Sequence, residues 1–235
     1  MKIENAVVLI TGANRGIGLA FARELLARGA RKVYAGARDP STIAPQPGVQ
    51  ALRLDVNNPE DVAAAAALAS DVTLVINNAG IAQPGGFLAP DGEAVARRLF
   101  ETNFFSMLRV SQAFAPVLAA NGGGALLNVL SVAAWVNGGE LAAYSASKSA
   151  AWSLTNALRH ELAPQKTQVL GLHMAFVDTD LTRGLEAPKS TAEDIVQRAL
   201  DGLEAGQEEV LADELTRQVR QGLTAPRPSY LPQRA

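Results

Sequence analysis

Tyr144 and Lys148 have the residue types and the spacing that proton transfer needs. They lie four positions apart at the start of a helical segment, so both side chains share one face of the helix. A lysine ammonium beside a phenol favours phenolate and lowers the phenol pKa from about 10. Such a phenol can donate a proton to a forming alkoxide or take one from an alcohol. Ser131, which precedes Tyr144 in the chain, can donate its hydroxyl hydrogen to the same substrate oxygen.

Each of these residues also has a simpler interpretation when it is taken alone. A Tyr-x-x-x-Lys pair is usually a surface pair on a helix, and a serine at the end of a strand is usually a turn residue. Asn103, inside a long helical segment, can hold a water molecule, kink the helix or simply be exposed. Their shared position downstream of a glycine-rich turn favours one catalytic site.

The glycine-rich turn lies directly between the first predicted strand and the first predicted helix. Gly12 permits a tight turn, while Gly16 and Gly18 allow a ligand and the helix to approach the backbone. The N–H groups at the start of the helix then face a diphosphate. Three glycines alone also fit an ordinary turn between a strand and a helix. The nucleotide site predicted here consists of Gly12, Asn14, Arg15, Gly16, Ile17 and Gly18.

The elements that must position these residues alternate along the chain. Short apolar runs typical of strands covered on both faces alternate with longer Ala- and Leu-rich helical segments. The predicted strands are residues 6–11, 32–37, 49–54, 72–77, 125–131, 168–174 and 209–212. The predicted helices are residues 17–28, 59–69, 91–120, 142–163 and 192–205. This pattern predicts a single α/β domain over residues 1–235, with a Rossmann-like, doubly wound parallel sheet of about seven strands.

The composition excludes several classes of protein. Of the 235 residues, 48% are apolar and 19% are charged, which excludes a disordered chain. There is no cysteine, so disulfides and thiolate chemistry are excluded, and the two histidines disfavour a histidine-ligated metal. The net charge of −2 gives no electrostatic reason to expect nucleic acid or an anionic membrane as a partner. Without an apolar run of about 18 residues, we expect no membrane span and a cytoplasmic protein.

The motifs occur in an order that is typical of one enzyme family. A Gly-x-x-x-Gly-x-Gly turn comes first, followed by Asn77-Asn78-Ala79-Gly80, Asn103, Ser131 and Tyr144-x-x-x-Lys148. From the first strand to about Asp180, roughly three quarters of the chain, the sequence resembles the short-chain dehydrogenase/reductase family in its classical form. The resemblance implies an oxidoreductase with a nicotinamide cofactor, which supplies the hydride.

The resemblance also implies a role for each member of a catalytic tetrad. Tyr144 would be the general acid and base, and Ser131 would position and polarise the substrate carbonyl. Lys148 would bind the nicotinamide ribose and lower the Tyr144 pKa, and Asn103 would support a water that relays protons to Lys148. The further cofactor contacts implied are Asp55 and Val56 at the adenine, Asn78, Ala79 and Gly80 after the fourth strand, and Val177 and Thr179 at the carboxamide.

The end of the second strand indicates which nicotinamide cofactor binds. An acid at this position selects NAD because it accepts hydrogen bonds from the ribose 2′-hydroxyl. Here Ala37 takes that position, Arg38 follows it, and Arg15 lies on the same side. Two guanidinium groups can clamp a 2′-phosphate, so we predict NADP(H). In the competing interpretation Asp39 is the ribose acid and the cofactor is NAD(H).

The chain departs from the family after the sixth strand, where Met174-Ala175 stands in place of the usual Pro-Gly. This replacement removes a rigid turn and a permissive backbone position, so we expect an altered nicotinamide wall. We expect residues 181–205 to form a short substrate lid, and residues 224–235 to form a Pro-rich tail that is either loose or packed on a neighbouring subunit. The predicted apolar substrate pocket consists of Val132, Ala133, Trp135, Phe176, Leu181 and Leu185.

Three of these assignments remain open from the sequence. Trp135 suits the core or a subunit interface as well as the pocket, and His173 suits a buried strand end better than the pocket. His160 is expected on a helix surface. The Ala-rich helices that carry Asn103 and Tyr144 could pack against a twin subunit, and the resemblance implies a homodimer or homotetramer.

Together these features predict an NADPH-dependent carbonyl reductase that acts on an apolar ketone or aldehyde and is reversible as an alcohol dehydrogenase. Tyr144 is its predicted general acid and base. One alternative is a non-catalytic NADP(H)-binding sensor or scaffold, because a fold does not determine a function. Another is the same chemistry with NAD(H).

Overall fold

The computed structural model describes residues 1–231 and contains one parallel sheet with the strand order β3-β2-β1-β4-β5-β6-β7. β1 pairs with β2 on one side and with β4 on the other, so the order reverses there and leaves a crevice beyond the carboxyl ends of the strands. The predicted Rossmann-like, doubly wound α/β fold is confirmed. The strands are β1 (Val7–Thr11), β2 (Lys32–Ala37), β3 (Val49–Arg53), β4 (Leu74–Asn77), β5 (Ala125–Val129), β6 (Gln168–His173) and β7 (Glu209–Leu211).

Helices cover both faces of this sheet. They are α1 (Gly16–Ala27), α2 (Pro59–Leu68), α3 (Gly92–Phe100), α4 (Ser106–Ala120), α5 (Ala142–Leu162), α6 (Ala192–Glu204) and α7 (Glu214–Gly222). The single helix predicted over residues 91–120 is interrupted, because a π-helical turn, Glu101–Phe105, separates α3 from α4. Such turns are frequent at functional sites. Among residues 1–231, no helix has the length and apolar character to cross a membrane.

The central strand β1 is packed on both sides. Val8 and Ile10 belong to the apolar cluster that includes α1 and α6, while Val7 and Leu9 belong to the cluster that includes α2, α4 and α5. Every residue of β1 is buried. A strand covered on both faces has no solvated side, which explains its uninterrupted apolar sequence. The two packed layers fix the carboxyl ends of the strands, where the cleft lies.

Most of the segment that was expected to form a lid belongs to the core. α6 is capped by the Thr191 side chain, and it buries Ile195 and Val196 in the cluster shared with α1. Its apolar side chains recur at helical spacing, so they form a stripe that has to be covered. The expectation of a lid over residues 181–205 is therefore restricted to residues 181–190.

The structure contains a helix that the sequence analysis did not predict. α7 is mostly polar, with Thr216 as its buried residue, so it lacks the apolar stripe that marks a packed helix. Asp213 caps its N-terminus by accepting a hydrogen bond from the Thr216 N–H. The Pro-rich tail folds back onto α7, since the Ser229 N–H donates to the Gly222 carbonyl at 2.9 Å. Residues 232–235 of the predicted tail lie outside the described residues.

Candidate active site

Hydrogen bonds join the loops after β1 and β4 at the point where the sheet order reverses. The Asn78 side-chain amide donates to the carbonyl oxygens of Thr11 and Gly12 at 2.9 and 3.0 Å. The Thr11 hydroxyl accepts hydrogen bonds from the N–H groups of Asn78 and Ala79, both at 3.0 Å. The two loops therefore form one hydrogen-bonded unit. Thr11 was not singled out from the sequence, although its position directly before Gly12 marks it.

The glycine turn places the first turn of α1 against this unit. Gly12 and Gly16 have φ angles of +66° and +54°, in the left-handed region that favours glycine. A Cβ on Gly18 would lie 2.2 Å from the Gly12 carbonyl oxygen, so Gly18 supports the turn from behind and does not line the cleft. Arg15 caps α1 without a side-chain hydrogen bond to the helix. The first N–H groups of α1 are therefore available to an anion.

A cleft of about 800 Å³ follows the carboxyl ends of β3 to β6. It passes from Asp55 after β3, by Arg38 after β2 and the glycine turn after β1, to Ser131 after β5. Its wall contains these predicted cofactor residues: Gly12, Asn14, Arg15, Gly16, Ile17, Arg38, Asp55, Val56, Asn78, Ala79, Gly80, Tyr144, Lys148, Val177 and Thr179. A glycine cradle, a free helix N-terminus and nearby cations fit a nicotinamide dinucleotide, whose diphosphate needs them.

Three members of the predicted tetrad meet at the β5 end of this cleft. The side chains of Tyr144 and Ser131 both line this end of the cleft, and the Ser131 hydroxyl is near enough to the phenol to influence its pKa. The Ser131 hydroxyl oxygen also accepts a hydrogen bond from the Ala133 N–H at 3.1 Å, which orients the serine. Lys148 lies one helical turn further along α5, with its Nζ 5.9 Å from the centre of the Tyr144 ring. Its ammonium donates to the Val129 carbonyl oxygen at 3.0 Å.

Burial dominates the ionisation of both groups on α5. Burial raises the pKa of Tyr144 above its ordinary value, and the neighbouring Ser131 hydroxyl acts in the opposite direction. Burial also lowers the pKa of Lys148 to about 8. Burial thus sets the direction of the Tyr144 pKa in this structure, while the expected lowering of that pKa by Lys148 stays a prediction. Tyr144 therefore keeps its proton at neutral pH.

Asn103 lies behind the cleft wall, in the π turn between α3 and α4. Its amide oxygen accepts a hydrogen bond from the Ile81 N–H, and its amide nitrogen donates to the Ile81 carbonyl and the Ser147 hydroxyl, all at 2.9 Å. Asn103 thereby ties the loop after β4 to the helix that carries Tyr144. A Cβ on Gly80 would lie 3.3 Å from the Asn103 oxygen, so a glycine keeps this contact free of a side chain. Of the interpretations of Asn103 made from the sequence, a kink in the helix agrees with the π turn that interrupts it, whereas simple exposure does not, because Asn103 is buried.

The charged residues near the adenosine end are engaged differently. Arg38 lines the cleft and has no ion-pair partner within residues 1–231. The Asp39 carboxylate accepts hydrogen bonds from the Ser41 hydroxyl and N–H at 2.7 and 3.0 Å, and these bonds lower the Asp39 pKa. Arg15 forms an ion pair with Asp180 at 2.8 Å, in the segment after β6. Arg38 is thus free for a ligand, whereas one carboxylate oxygen of Asp39, Oδ1, is held by its own turn.

The Met174-Ala175 segment lines the cleft directly after β6. The Met174 carbonyl accepts a hydrogen bond from the Val132 N–H at 2.9 Å. The Ala175 N–H donates to the Asp213 carboxylate at 2.7 Å. Two contacts therefore hold the segment, one from Val132 directly after Ser131 and one from Asp213 at the start of α7. Sequence reasoning missed Asp213, because nothing local to it marks a contact with the end of β6.

Only Leu181, which is 56% exposed, lines the cleft among the predicted substrate-pocket residues. Trp135 is buried, and its ring stacks on buried His173 with the ring centres 4.1 Å apart, so Trp135 packs in the interior. The remaining predicted residues do not line the cleft: Val132 and Ala133, which enter a 3-10 turn after Ser131, and Phe176 and Leu185. The apolar wall near Ser131 includes Ile81, Leu130 and Met174, each next to a motif in the sequence.

Comparison with known proteins identifies the family. Residues 6–190 match the short chain dehydrogenase family. D-erythrulose reductase of Gallus gallus is 37% identical over 180 residues, covering 74% of this chain and 72% of that protein. The 3-oxoacyl-(acyl-carrier-protein) reductase of Vibrio cholerae is 31% identical over 201 residues, covering 82% of each chain. A short chain dehydrogenase from Burkholderia cenocepacia, crystallised in complex with NADP, has a TM-score of 0.93 at 40% identity, with 97% of this chain and 96% of that chain covered.

The chain therefore belongs to the short chain dehydrogenase family. It is an oxidoreductase that acts between CH–OH and C=O groups and binds a nicotinamide cofactor. The cleft at the carboxyl ends of the strands is the part of the molecule that fits this cofactor.

Replacing Lys148 by Met is expected to stabilise the cofactor-free protein most at neutral pH. Below pH 8 the folded wild type buries a charged ammonium, whereas the lysine of the unfolded chain titrates near 10.5. Between these two values only the unfolded chain stays charged, so wild-type stability rises with pH. The shift corresponds to roughly 3 kcal/mol. The free energy of unfolding of the variant minus that of the wild type is its excess stability, and urea unfolding measures it. This difference should fall by about 2 kcal/mol between roughly pH 7 and pH 10.

The control is Lys2→Met, which removes an exposed lysine and should show no such dependence on pH. An excess stability of Lys148→Met that stayed constant over this pH range would contradict the buried, depressed lysine.

Proposed function

We propose that the protein is an NADPH-dependent carbonyl reductase that acts on an apolar ketone or aldehyde and is reversible as an alcohol dehydrogenase. The observation that carries the proposal is that Ser131 and Tyr144 line the same end of the cofactor cleft, with the Ser131 hydroxyl near enough to the phenol to influence its pKa. Two hydroxyl groups so placed can both reach one substrate oxygen, which is the arrangement that carbonyl reduction needs. The two relatives described above support the direction, since both are named as reductases.

The bound nicotinamide would supply the hydride, and the chain would supply orientation and the proton. Ser131 donates a hydrogen bond to the carbonyl oxygen and so polarises and orients it. Tyr144 gives its proton to the same oxygen as negative charge develops there. The phenol, whose pKa burial raises, is protonated at neutral pH and is therefore ready to act as the proton donor in reduction. Lys148 has a pKa of about 8 and is mainly cationic at pH 7, so it stabilises the phenolate left behind.

Tyr144→Phe should lower kcat for ketone reduction by about a thousandfold, because it removes the only proton donor proposed for the reaction. NADPH affinity should stay within about twofold, since the aromatic ring remains in the cleft wall. The loss of NADPH absorbance with a panel of apolar ketones measures the first quantity, and calorimetric titration measures the second.

Tyr34→Phe is the matched control. It removes another tyrosine hydroxyl, one that is bonded to Asp71 at 2.8 Å and lies outside the cleft wall. This variant should reduce ketones at the wild-type rate. Wild-type turnover by Tyr144→Phe would show that the assigned proton donor is wrong.

The choice of NADP(H) over NAD(H) rests on the charges around the adenosine end. Arg38 has no ion-pair partner in the described chain and lines the cleft directly after Ala37. An arginine suits a 2′-phosphate because its fork of N–H donors matches the phosphate oxygens. Asp39, the acid of the competing interpretation, already accepts two hydrogen bonds from Ser41. The similarity to a family member crystallised with NADP supports the same choice.

Arg38→Ala should raise the KM for NADPH by at least about tenfold and change the KM for NADH by less than twofold. The reason is that only NADPH carries the phosphate that the guanidinium would bind. Initial rates with both cofactors provide the measurement, with Arg97→Ala, a surface arginine outside the cleft, as the control. Equal increases for the two cofactors would overturn the choice of NADP(H) and favour NAD(H).

An apolar substrate is proposed from the wall next to the reacting hydroxyl groups. Ile81, Leu130 and Met174 border that end of the cleft, and Leu181 stands exposed at its edge. The relatives are named for different substrates, D-erythrulose and a 3-oxoacyl group on acyl carrier protein, so they do not narrow the choice. Turnover of any compound in a ketone and alcohol panel by the wild type would exclude the alternative of a sensor or scaffold without catalysis.

We also propose a cytoplasmic homodimer or homotetramer. The outward face of α5 carries the small residues Ser153 and Ala157, which permit close approach of a second helix, and Phe105 before α4 is 45% exposed. A chain without cysteine suits a reducing compartment. Light scattering coupled to gel filtration should give a mass of two or four chains, and a purely monomeric solution would contradict the assembly.

A further inference from the structure

We propose that Asp213 is a positioning residue that holds the nicotinamide-side wall of the cleft in place. The wall consists of Met174 and Ala175, directly after β6. The inference rests on the proposed function only in assigning this end of the cleft to the nicotinamide. Asp213 lies beyond β7, outside the part of the chain that matches the family.

The contacts of Asp213 are shared between two elements. Asp213 as a whole is only 8% exposed. One oxygen, Oδ1, accepts a hydrogen bond from the Thr216 N–H at 2.8 Å and so caps α7. The other, Oδ2, accepts hydrogen bonds from the Ala175 N–H at 2.7 Å and from the Thr216 hydroxyl at 2.9 Å. A short hydrogen bond from a backbone N–H to a buried carboxylate is among the stronger restraints that a side chain can apply.

The wall needs such a restraint because its own sequence supplies none. A proline at position 174 would fix its φ angle, but methionine and alanine restrict the backbone no more than other residues do. The structure holds the wall from outside on both sides, by the Val132 N–H at the Met174 carbonyl and by Asp213 at the Ala175 N–H. The Ala212 N–H donates to the His173 carbonyl at 2.9 Å, which brings Asp213 into register with Ala175.

A cap on α7 alone does not require this arrangement. Serine and threonine cap helices about as well as aspartate, using a single oxygen. α6 is capped in this way by Thr191, whose hydroxyl accepts a hydrogen bond from the Asp194 N–H at 3.0 Å. An aspartate has a second oxygen and a longer reach, and the structure uses both to bind Ala175. The wall contact is therefore separable from the cap by mutation.

Asp213→Ser is the variant that separates them. The serine hydroxyl can still cap α7, but it is too short to bind the Ala175 N–H as well. We expect the Kd for NADPH to rise about tenfold, the loss of one hydrogen bond to a charged group. The Kd for 2′,5′-ADP, which lacks the nicotinamide half, should stay within about twofold, because Arg38 and the glycine turn are untouched. Calorimetric titration of the wild type and the variant with both ligands measures these quantities.

Thr216→Val is the matched control. It removes the hydroxyl contact to Oδ2 and leaves the bond between Asp213 and Ala175 in place, so both Kd values should stay near those of the wild type. Binding of 2′,5′-ADP also reports whether the Asp213→Ser variant is folded. If it is not, Asp213→Asn, which retains a single acceptor oxygen for two N–H groups, should give the same selective loss of NADPH affinity.

A purely structural role for Asp213 would weaken both ligands together, and an unimportant contact would weaken neither; either result would overturn the inference. The choice of NADP(H) is tested separately, by measuring which ligands the wild type prefers. If the wild type bound NADH and 5′-ADP more tightly than NADPH and 2′,5′-ADP, the choice of NADP(H) would be overturned. Comparing the wild type and Asp213→Ser with NADH and 5′-ADP would then decide the role of Asp213.

Discussion

The site depends on the close contact between the first turn of α1 and the loops after β1 and β4. Gly18 lies so near the Gly12 carbonyl that a Cβ there would come within 2.2 Å of it and within 2.7 Å of the Asn78 amide. Asn78 in turn holds the carbonyls of Thr11 and Gly12. This contact sets where the free N–H groups of α1 point, and hence where a diphosphate can lie. Because β1 is packed on both faces, the loops cannot shift to admit a larger side chain.

Burial away from water controls the ionisation of Tyr144 and Lys148 at the reacting end of the cleft. Burial moves Tyr144 and Lys148 toward their neutral forms, upward in pKa for the phenol and down to about 8 for the ammonium. A protonated phenol next to Ser131 is ready to give a proton, which connects the packing of α5 to carbonyl reduction. Asn103 contributes at a distance, since its hydrogen bonds to Ile81 and Ser147 hold the loop after β4 against α5.

How far the sequence could predict this arrangement depended on the range of each interaction. The glycine turn and the spacing of Tyr144 and Lys148 are local, and the strand pattern was sufficient to place them at one edge of a parallel sheet. The direction of the Tyr144 pKa was not predictable, because it depends on burial by elements distant in sequence. The sequence left Trp135 open between the pocket, the core and an interface, and its stacking on His173, which places it in the interior, joins residues distant in the chain. α7 was missed because it lacks an apolar stripe, although Asp213 at its N-terminus and Arg220 in its last turn are local helix signals. The contact of Asp213 with Ala175 has no local pattern.

The roles proposed for Arg38, Tyr144 and Asp213 all depend on the orientation of the dinucleotide in the cleft. A crystal structure of the wild type grown with NADP tests it directly. We predict the 2′-phosphate at Arg38, the diphosphate at the first turn of α1, and the nicotinamide between Tyr144 and Ala175. A dinucleotide bound in the reverse direction, with its nicotinamide at Asp55, or bound outside this cleft, would contradict it.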